Sequence, residues 1–190
     1  MTLAQRLGHA LLGLAGWRAV GRMPDEPKLL ALGAPHTSNW DFVIMLPFAL
    51  AIGAKITWMG KDSLFRWPFG PVMRALGGFP VQRGARLNAV EQAVERFRQS
   101  DRLILVMSPE GTRRRTAHWK SGFYHIARGA NVPVVLGFLD YPNRTAGIGP
   151  TVHLTGDVEA DMGTIAAFYA DKRGRRADQA TPVRLEAGKA

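Results

Sequence analysis

The chain contains no cysteine among its 190 residues. Disulfides, thiolate metal sites and a cysteine nucleophile are excluded together. A reducing cytoplasm is compatible with this. No G-x-S-x-G segment exists, so no serine nucleophile of the elbow type is evident. His118, His125 and His153 share no metal-ligand spacing, and we read them as structural or surface residues. No uninterrupted apolar run reaches the ~20 residues that a membrane-spanning helix needs. No internal repeat is visible. Acidic residues are scarce, 15 against 25 lysines and arginines, which leaves a net charge of +10.

What is present fits one domain with a genuine core, since 46% of the residues are apolar. The positive charge seeks anions: phospholipid headgroups, phosphorylated substrates or nucleic acid. Arg83, Arg86, Arg113, Arg114, Arg115 and Lys120 lie near turn-like sequence inside the domain. Lys172, Arg173, Arg175 and Arg176 open a basic tail over 172–190, which reads as a solvated extension.

Residues 1–22 read as an amphipathic helix that associates with a membrane. Leu3, Leu7, Leu11 and Leu14 recur at helical spacing, with Arg6, His9, Arg18 and Arg22 among them. Such a helix suits an anionic lipid interface, and equally a helix packed on the domain. It is not read as a signal peptide, because it is short and no small-x-small site precedes Met23.

From 28 to 171 short apolar strands alternate with helices. The pattern predicts strands over 28–33, 56–59, 78–81, 103–107, 132–139 and 152–156. It predicts helices over 39–52, 87–99, 121–128 and 161–173, with a broken helical segment over 64–76. Several strands are apolar on both faces. The fold class is therefore α/β, a single layered domain with a largely parallel sheet flanked by helices. Ligands of such sheets bind beyond the carboxyl ends of the strands. His36, Arg83 and Glu110 each follow a predicted strand.

His36 is followed five positions later by Asp41. Histidine accepts a proton near neutral pH. A carboxylate on its other nitrogen would fix the tautomer and stabilise the imidazolium, as in a serine-protease triad. Ser38-x-x-Asp41 is also a capping box before an apolar helix, and the two roles are compatible. Further on, Glu110-Gly111-Thr112-Arg113 follows an apolar strand. Gly111 permits close backbone approach, Thr112 offers a hydroxyl, and Arg113 offers a fork that fits phosphate. Glu110 would orient an arginine or contact a substrate hydroxyl. The tetrapeptide also reads as a plain polar turn. Arg83 and Lys120 are further anion-binding candidates.

With these residues in view, the chain resembles the glycerolipid acyltransferases, especially the bacterial 1-acylglycerol-3-phosphate acyltransferases. The resemblance runs from Leu29 to Leu139. His36 to Asp41 matches the family's histidine-four-residues-aspartate motif. Gly78-Phe79-Pro80-Val81-Gln82-Arg83-Gly84 is similar to its second block, Pro109-Glu110-Gly111-Thr112-Arg113 to its third, and Val132-Pro133-Val134-Val135 to its fourth. Two positions depart from the pattern: Pro35, where asparagine is usual, and Ser108 ahead of the third block.

The resemblance implies His36 as general base and Asp41 as its partner. Arg83 with Glu110, Gly111, Thr112 and Arg113 would hold the acceptor, and Lys120 joins them as a candidate from its charge and place alone. It implies transfer of a fatty acyl group from a coenzyme A or acyl carrier protein thioester to lysophosphatidic acid or a related lyso-lipid. That reaction has no acyl-enzyme and needs no metal or bound cofactor. Some members use other lyso-lipids or non-glycerol alcohols. The expected place is the cytoplasmic face of the membrane, held peripherally on anionic lipid. A basic nucleic-acid-binding protein is permitted by charge alone. No aromatic-basic interleaving supports that reading, so no nucleic-acid partner is expected.

Overall fold

The computed structural model describes residues 1–81 and 88–186. The chain opens with helix α1, Leu3–Leu14, whose start is closed by a capping box between Thr2 and Gln5. The helix stops eight residues short of the expected boundary at residue 22. Gly16 takes a positive φ of 73°, which turns the chain. Trp17 is then buried, and Arg18–Val20 forms strand β1 along an edge of the sheet. A three-residue strand straight after a helix carries no periodicity of its own.

The remaining elements are β2 (Lys28–Ala34), α2 (Trp40–Ile52), β3 (Ile56–Lys61), α3 (Gly70–Ala75), β4 (Gly78–Val81) and α4 (Ala89–Arg98). They continue as β5 (Leu103–Met107), α5 (Gly122–Ala130), β6 (Val134–Asp140), β7 (Thr145–Val152) and α6 (Val158–Tyr169). The described strands form one seven-stranded sheet in the order β1-β7-β6-β2-β5-β3-β4. Only the β6–β7 pairing is antiparallel. The layered, largely parallel α/β domain expected from the sequence is the one observed.

Strand β2 lies between β5 and β6, and its side chains alternate between two cores. Leu30, Leu32 and Ala34 pack with Phe97 of α4 and with Phe123 and Ile126 of α5. Leu29 and Ala31 face the other way, toward Val135 of β6, on the side of the sheet that carries α2. Helix α1 lies on α2 through Gly8. A Cβ there would sit 2.4 Å from the Ala51 backbone nitrogen, so only glycine permits this approach.

Two further expectations are corrected. The last strand runs over Thr145–Val152 rather than 152–156. Gly147, Gly149 and Pro150 hide it, since none of them favours a strand. The two glycines are required by packing: a Cβ at Gly147 would meet the Phe138 ring at 2.4 Å, and one at Gly149 the Phe168 ring at 2.2 Å. Pro150 lies within a register shift against β6 and beyond the short β1, a place in a sheet that tolerates proline. The tail is not a free extension either. Tyr141 N–H donates to the Arg173 carbonyl at 3.0 Å, and Arg173 N–H donates to Asp140 Oδ1 at 3.2 Å. Thr116 N–H donates to the Thr181 hydroxyl at 3.1 Å, and Leu185 bridges to Trp119. The final helix accordingly ends at Tyr169, and the basic residues after it run as a strap across the carboxyl edge of the sheet.

Candidate active site

Three neighbouring strands, β6, β2 and β5, end at the same edge of the sheet. Each delivers its next residues to one place. β2 leads through Pro35 into His36, β5 through Ser108 and Pro109 into Glu110, and β6 into Tyr141. The switch from strand to loop at this edge frees side chains that the ladder would otherwise direct into the two cores.

His36 Nδ1 lies 3.0 Å from Asp41 Oδ2. The same oxygen accepts the backbone N–H groups of Thr37 at 2.9 Å and Ser38 at 3.0 Å. Asp41 Oδ1 accepts the Tyr141 hydroxyl at 2.6 Å. Burial alone would raise the pKa of Asp41. The hydrogen bonds from His36, Tyr141 and Ser38 outweigh it and hold the carboxyl below the usual carboxylate range. An ionised Asp41 accepts a hydrogen bond from Nδ1–H, which leaves the lone pair of a neutral imidazole on Nε2.

The capping box expected here is half-formed. Asp41 reaches back to the loop amides, while the helix N-cap is Asn39 without a side-chain bond. Ser38 Oγ instead accepts Trp40 N–H at 3.2 Å. Asp41 thus serves the loop and the histidine together.

Glu110 is 1% exposed, and its Oε2 accepts His36 N–H at 3.2 Å. The buried carboxyl thereby ties the histidine loop to the turn after β5. Burial, with a smaller contribution from the charge of Asp41, pushes its pKa up to about 7, against the opposing pull of the His36 amide. In the unfolded chain the group titrates near 4.5. Between those values the folded protein keeps a proton that the unfolded chain releases, so this group's contribution to stability falls as pH rises. Glu110→Gln keeps the acceptor and removes the titration. We expect its stability relative to the parent to rise by on the order of 3 kcal/mol from pH 4 to pH 8. Urea unfolding at both pH values measures this, and a constant difference would show that Glu110 does not titrate as described.

The rest of the turn is more open. Gly111 has a φ of +65°, and a Cβ there would crowd Lys120 Cγ at 3.1 Å. Lys120 is tied to the turn through its own N–H, which donates to the Pro109 carbonyl at 2.8 Å. The Thr112 hydroxyl accepts Arg114 N–H at 3.3 Å. Arg113 is exposed, and no carboxylate among the described residues pairs with it. His36, Asp41 and Glu110 are therefore brought together by contact. Gly111, Thr112, Arg113 and Lys120 belong to the turn that Glu110 anchors. Arg83 lies outside the described residues.

An apolar cavity of about 260 Å³ opens beside the dyad. Its roof is α2, through Phe42, Met45, Phe48 and Ile52, and its floor is the sheet, through Ala31, Gly33 and Gly137. Gly33 and Gly137 are cross-strand neighbours, and a Cβ on Gly33 would meet no atom within 4 Å. His36 and Asp41 belong to the wall, so a long apolar group in this space would end at the histidine. The all-round apolar character of α2 now has a physical reason: one side faces the cavity, another α1 and another the surface.

Tyr141 and Thr37 were not anticipated. Tyr141 follows an apolar strand directly, the same signal that marks His36. Thr37 gave no such signal. Its hydroxyl accepts Arg176 N–H at 3.1 Å, and Gly174 passes so close that a Cβ would lie 2.6 Å from Thr37 Oγ1.

The acyltransferase family model matches residues 23–136, which hold both the dyad and the turn after β5. The chain belongs to the acyltransferase family. No curated relative matches this acyltransferase. Its fold is similar to the crystal structure of PlsC, a 1-acyl-sn-glycerophosphate (LPA) acyltransferase from Thermotoga maritima. The TM-score is 0.61 at 18% identity, covering 87% of this chain and 74% of that one.

Proposed function

We propose that this acyltransferase moves a fatty acyl group from a coenzyme A or acyl carrier protein thioester to the hydroxyl of lysophosphatidic acid or a related lyso-lipid. The observation that carries the reading is the His36–Asp41 pair set in the wall of an apolar cavity. His36 Nε2 takes the proton of the acceptor hydroxyl as its oxygen attacks the thioester carbonyl carbon. The C–S bond breaks, and the imidazolium returns the proton to the leaving thiolate. Asp41 stabilises the imidazolium in between. No acyl-enzyme and no bound cofactor takes part. Acceptor phosphate fits the exposed Arg113, with Gly111, Thr112, Lys120 and Arg83 as further contacts. The similar structure is named for lysophosphatidic acid, which supports that acceptor.

The reading is tested by labelled thioester donors offered with a panel of lyso-lipids, with and without phosphate, and products identified by mass spectrometry. It expects label in the diacyl product of a phosphate-bearing acceptor. Thioester left unconsumed with every acceptor, alongside salt-dependent duplex binding, would favour a nucleic-acid role instead.

The same reading places the enzyme peripherally on the cytoplasmic face of a membrane. No described helix is long and apolar enough to cross one. Helix α1 turns Gly8 and Leu12 toward the protein and leaves Leu3 84% and Leu14 87% exposed, with Leu7 and Leu11 between them. Exposed Trp40, Val43 and Leu50 on α2 add to the apolar surface. Deleting residues 1–22 would also remove β1 and uncover the partners of Leu12 and Trp17, so point changes are the cleaner test. Each leucine buried in lipid contributes ~1.5–3 kcal/mol. Leu3→Glu with Leu7→Glu should therefore weaken sedimentation with anionic liposomes by about 100-fold or more, while Tm is kept. Undiminished sedimentation would move the contact to Trp40, Val43 and Leu50, or to the exposed Trp67, Phe69 and Val72.

A further inference from the structure

Asp41 has two carboxylate oxygens with different duties. Oδ2 meets His36 Nδ1 and two loop amides, whereas Oδ1 meets the Tyr141 hydroxyl, at 2.6 Å. Tyr141 is itself fixed from two sides. Its ring stands edge-on to Trp17, with centroids 4.8 Å apart at 88°, and its N–H is bound to the Arg173 carbonyl. Trp17 belongs to the buried cluster that joins α1, α2 and β7. The tyrosine is thus held by the N-terminal segment and by the C-terminal strap, and it spends its hydroxyl on the dyad. We propose that Tyr141 is a positioning residue of the acyl-transfer reaction, holding the Asp41 carboxylate so that Oδ2 stays on His36 Nδ1 as the imidazole charges. This inference rests on the dyad reading given above.

The hydroxyl remains a donor across the working pH range, because burial and the bond to Asp41 raise its pKa well above the ordinary tyrosine value. The other charged groups near the pair are Glu110, from the turn after β5, and Arg175, from the strap. Arg175 lies over the Trp40 ring at 5.1 Å. Neither donates a hydrogen bond to Oδ1, so without Tyr141 that oxygen has no protein donor among the described residues.

The test compares Tyr141→Phe, Asp41→Asn, the double variant and His36→Ala by kcat, KM, pH profile and Tm. Phenylalanine keeps the ring on Trp17. Partners that orient a functional ligand from behind are worth roughly 10–100-fold in metal enzymes, and about 10-fold in kcat is expected here. KM for donor and acceptor should stay within about twofold, and Tm should fall no further than the loss of one hydrogen bond requires. Losing the donor leaves Asp41 more basic, which favours the imidazolium. The acidic limb of the kcat/KM profile should therefore move to higher pH. In the Asp41→Asn background the tyrosine change should add less than about twofold, because the two residues act as one unit.

A Tyr141→Phe enzyme with unchanged kcat and unmoved limb would overturn the proposal. So would losses that multiply in the double variant, or a lowered Tm with the limb in place, which marks a structural role. If His36→Ala turns over like the parent, the dyad reading itself fails, and that result is distinct from any result on Tyr141.

Discussion

Replacing His36 with alanine is expected to lower acyl transfer by on the order of 10²–10⁴-fold, the usual cost of losing a general base. The side chain stands at the cavity wall, about a quarter exposed, and among the described residues its ring bonds only Asp41. The structural contact of this residue is its backbone N–H to Glu110, which alanine keeps. Fold and liposome binding should therefore survive, and Tm together with turnover of a labelled thioester measures both. Near-parental turnover by folded protein would remove His36 from the chemistry. The remaining wall of the cavity offers few substitutes. Trp58 Nε1 is engaged with the Leu76 carbonyl, and the Ser108 hydroxyl, though without a hydrogen-bond partner, is no base at neutral pH.

The second large effect is expected at Gly33. Its backbone needs no glycine conformation, and the space above its Cα is open. That space is the cavity floor, three residues before His36 and opposite Gly137. Gly33→Leu would place a branched side chain where an acyl chain is proposed to lie. A pocket already separates ligands by roughly 10–200-fold over a single methylene, so transfer from long-chain donors should fall by at least about 100-fold. Very short donors that need no cavity should keep most of their rate. Because leucine suits a strand better than glycine and its Cβ would meet no atom within 4 Å, Tm should hold or rise. Long-chain and short-chain donors losing rate equally would argue that the acyl group lies elsewhere.

Much of this arrangement was legible in the chain, for reasons that can be given residue by residue. Strands β2 and β5 are apolar on both faces, so their positions and their shared edge follow from hydropathy alone. His36 and Glu110 stand out because polar residues interrupt apolar strands at their ends. The amphipathic character of α1 was readable. Which side faces outward was not, because that depends on Gly8 meeting the α2 backbone. Strand β7 was displaced in the reading because its glycines make room for the rings of Phe138 and Phe168, a tertiary requirement with no local signature. The strap over 172–176 reads as solvated because its composition is basic. It is held by backbone hydrogen bonds, which leave no pattern in side-chain chemistry. The tie from Glu110 to the histidine loop left no pattern for the same reason, since its partner is a main-chain amide 74 positions away.

We propose direct acyl transfer, assisted by His36, onto a phosphate-bearing lyso-lipid. It is tested most directly by a single-turnover reaction of the purified enzyme with a labelled long-chain acyl thioester. Product lipids and the intact protein are both weighed by mass spectrometry, with and without lysophosphatidic acid. The expected result is thioester consumption that depends on the lyso-lipid, label in its diacyl product, no acylated protein at any time, and loss of both consumption and product in His36→Ala. Label that accumulates on the protein, or thioester consumed equally without acceptor, would contradict it.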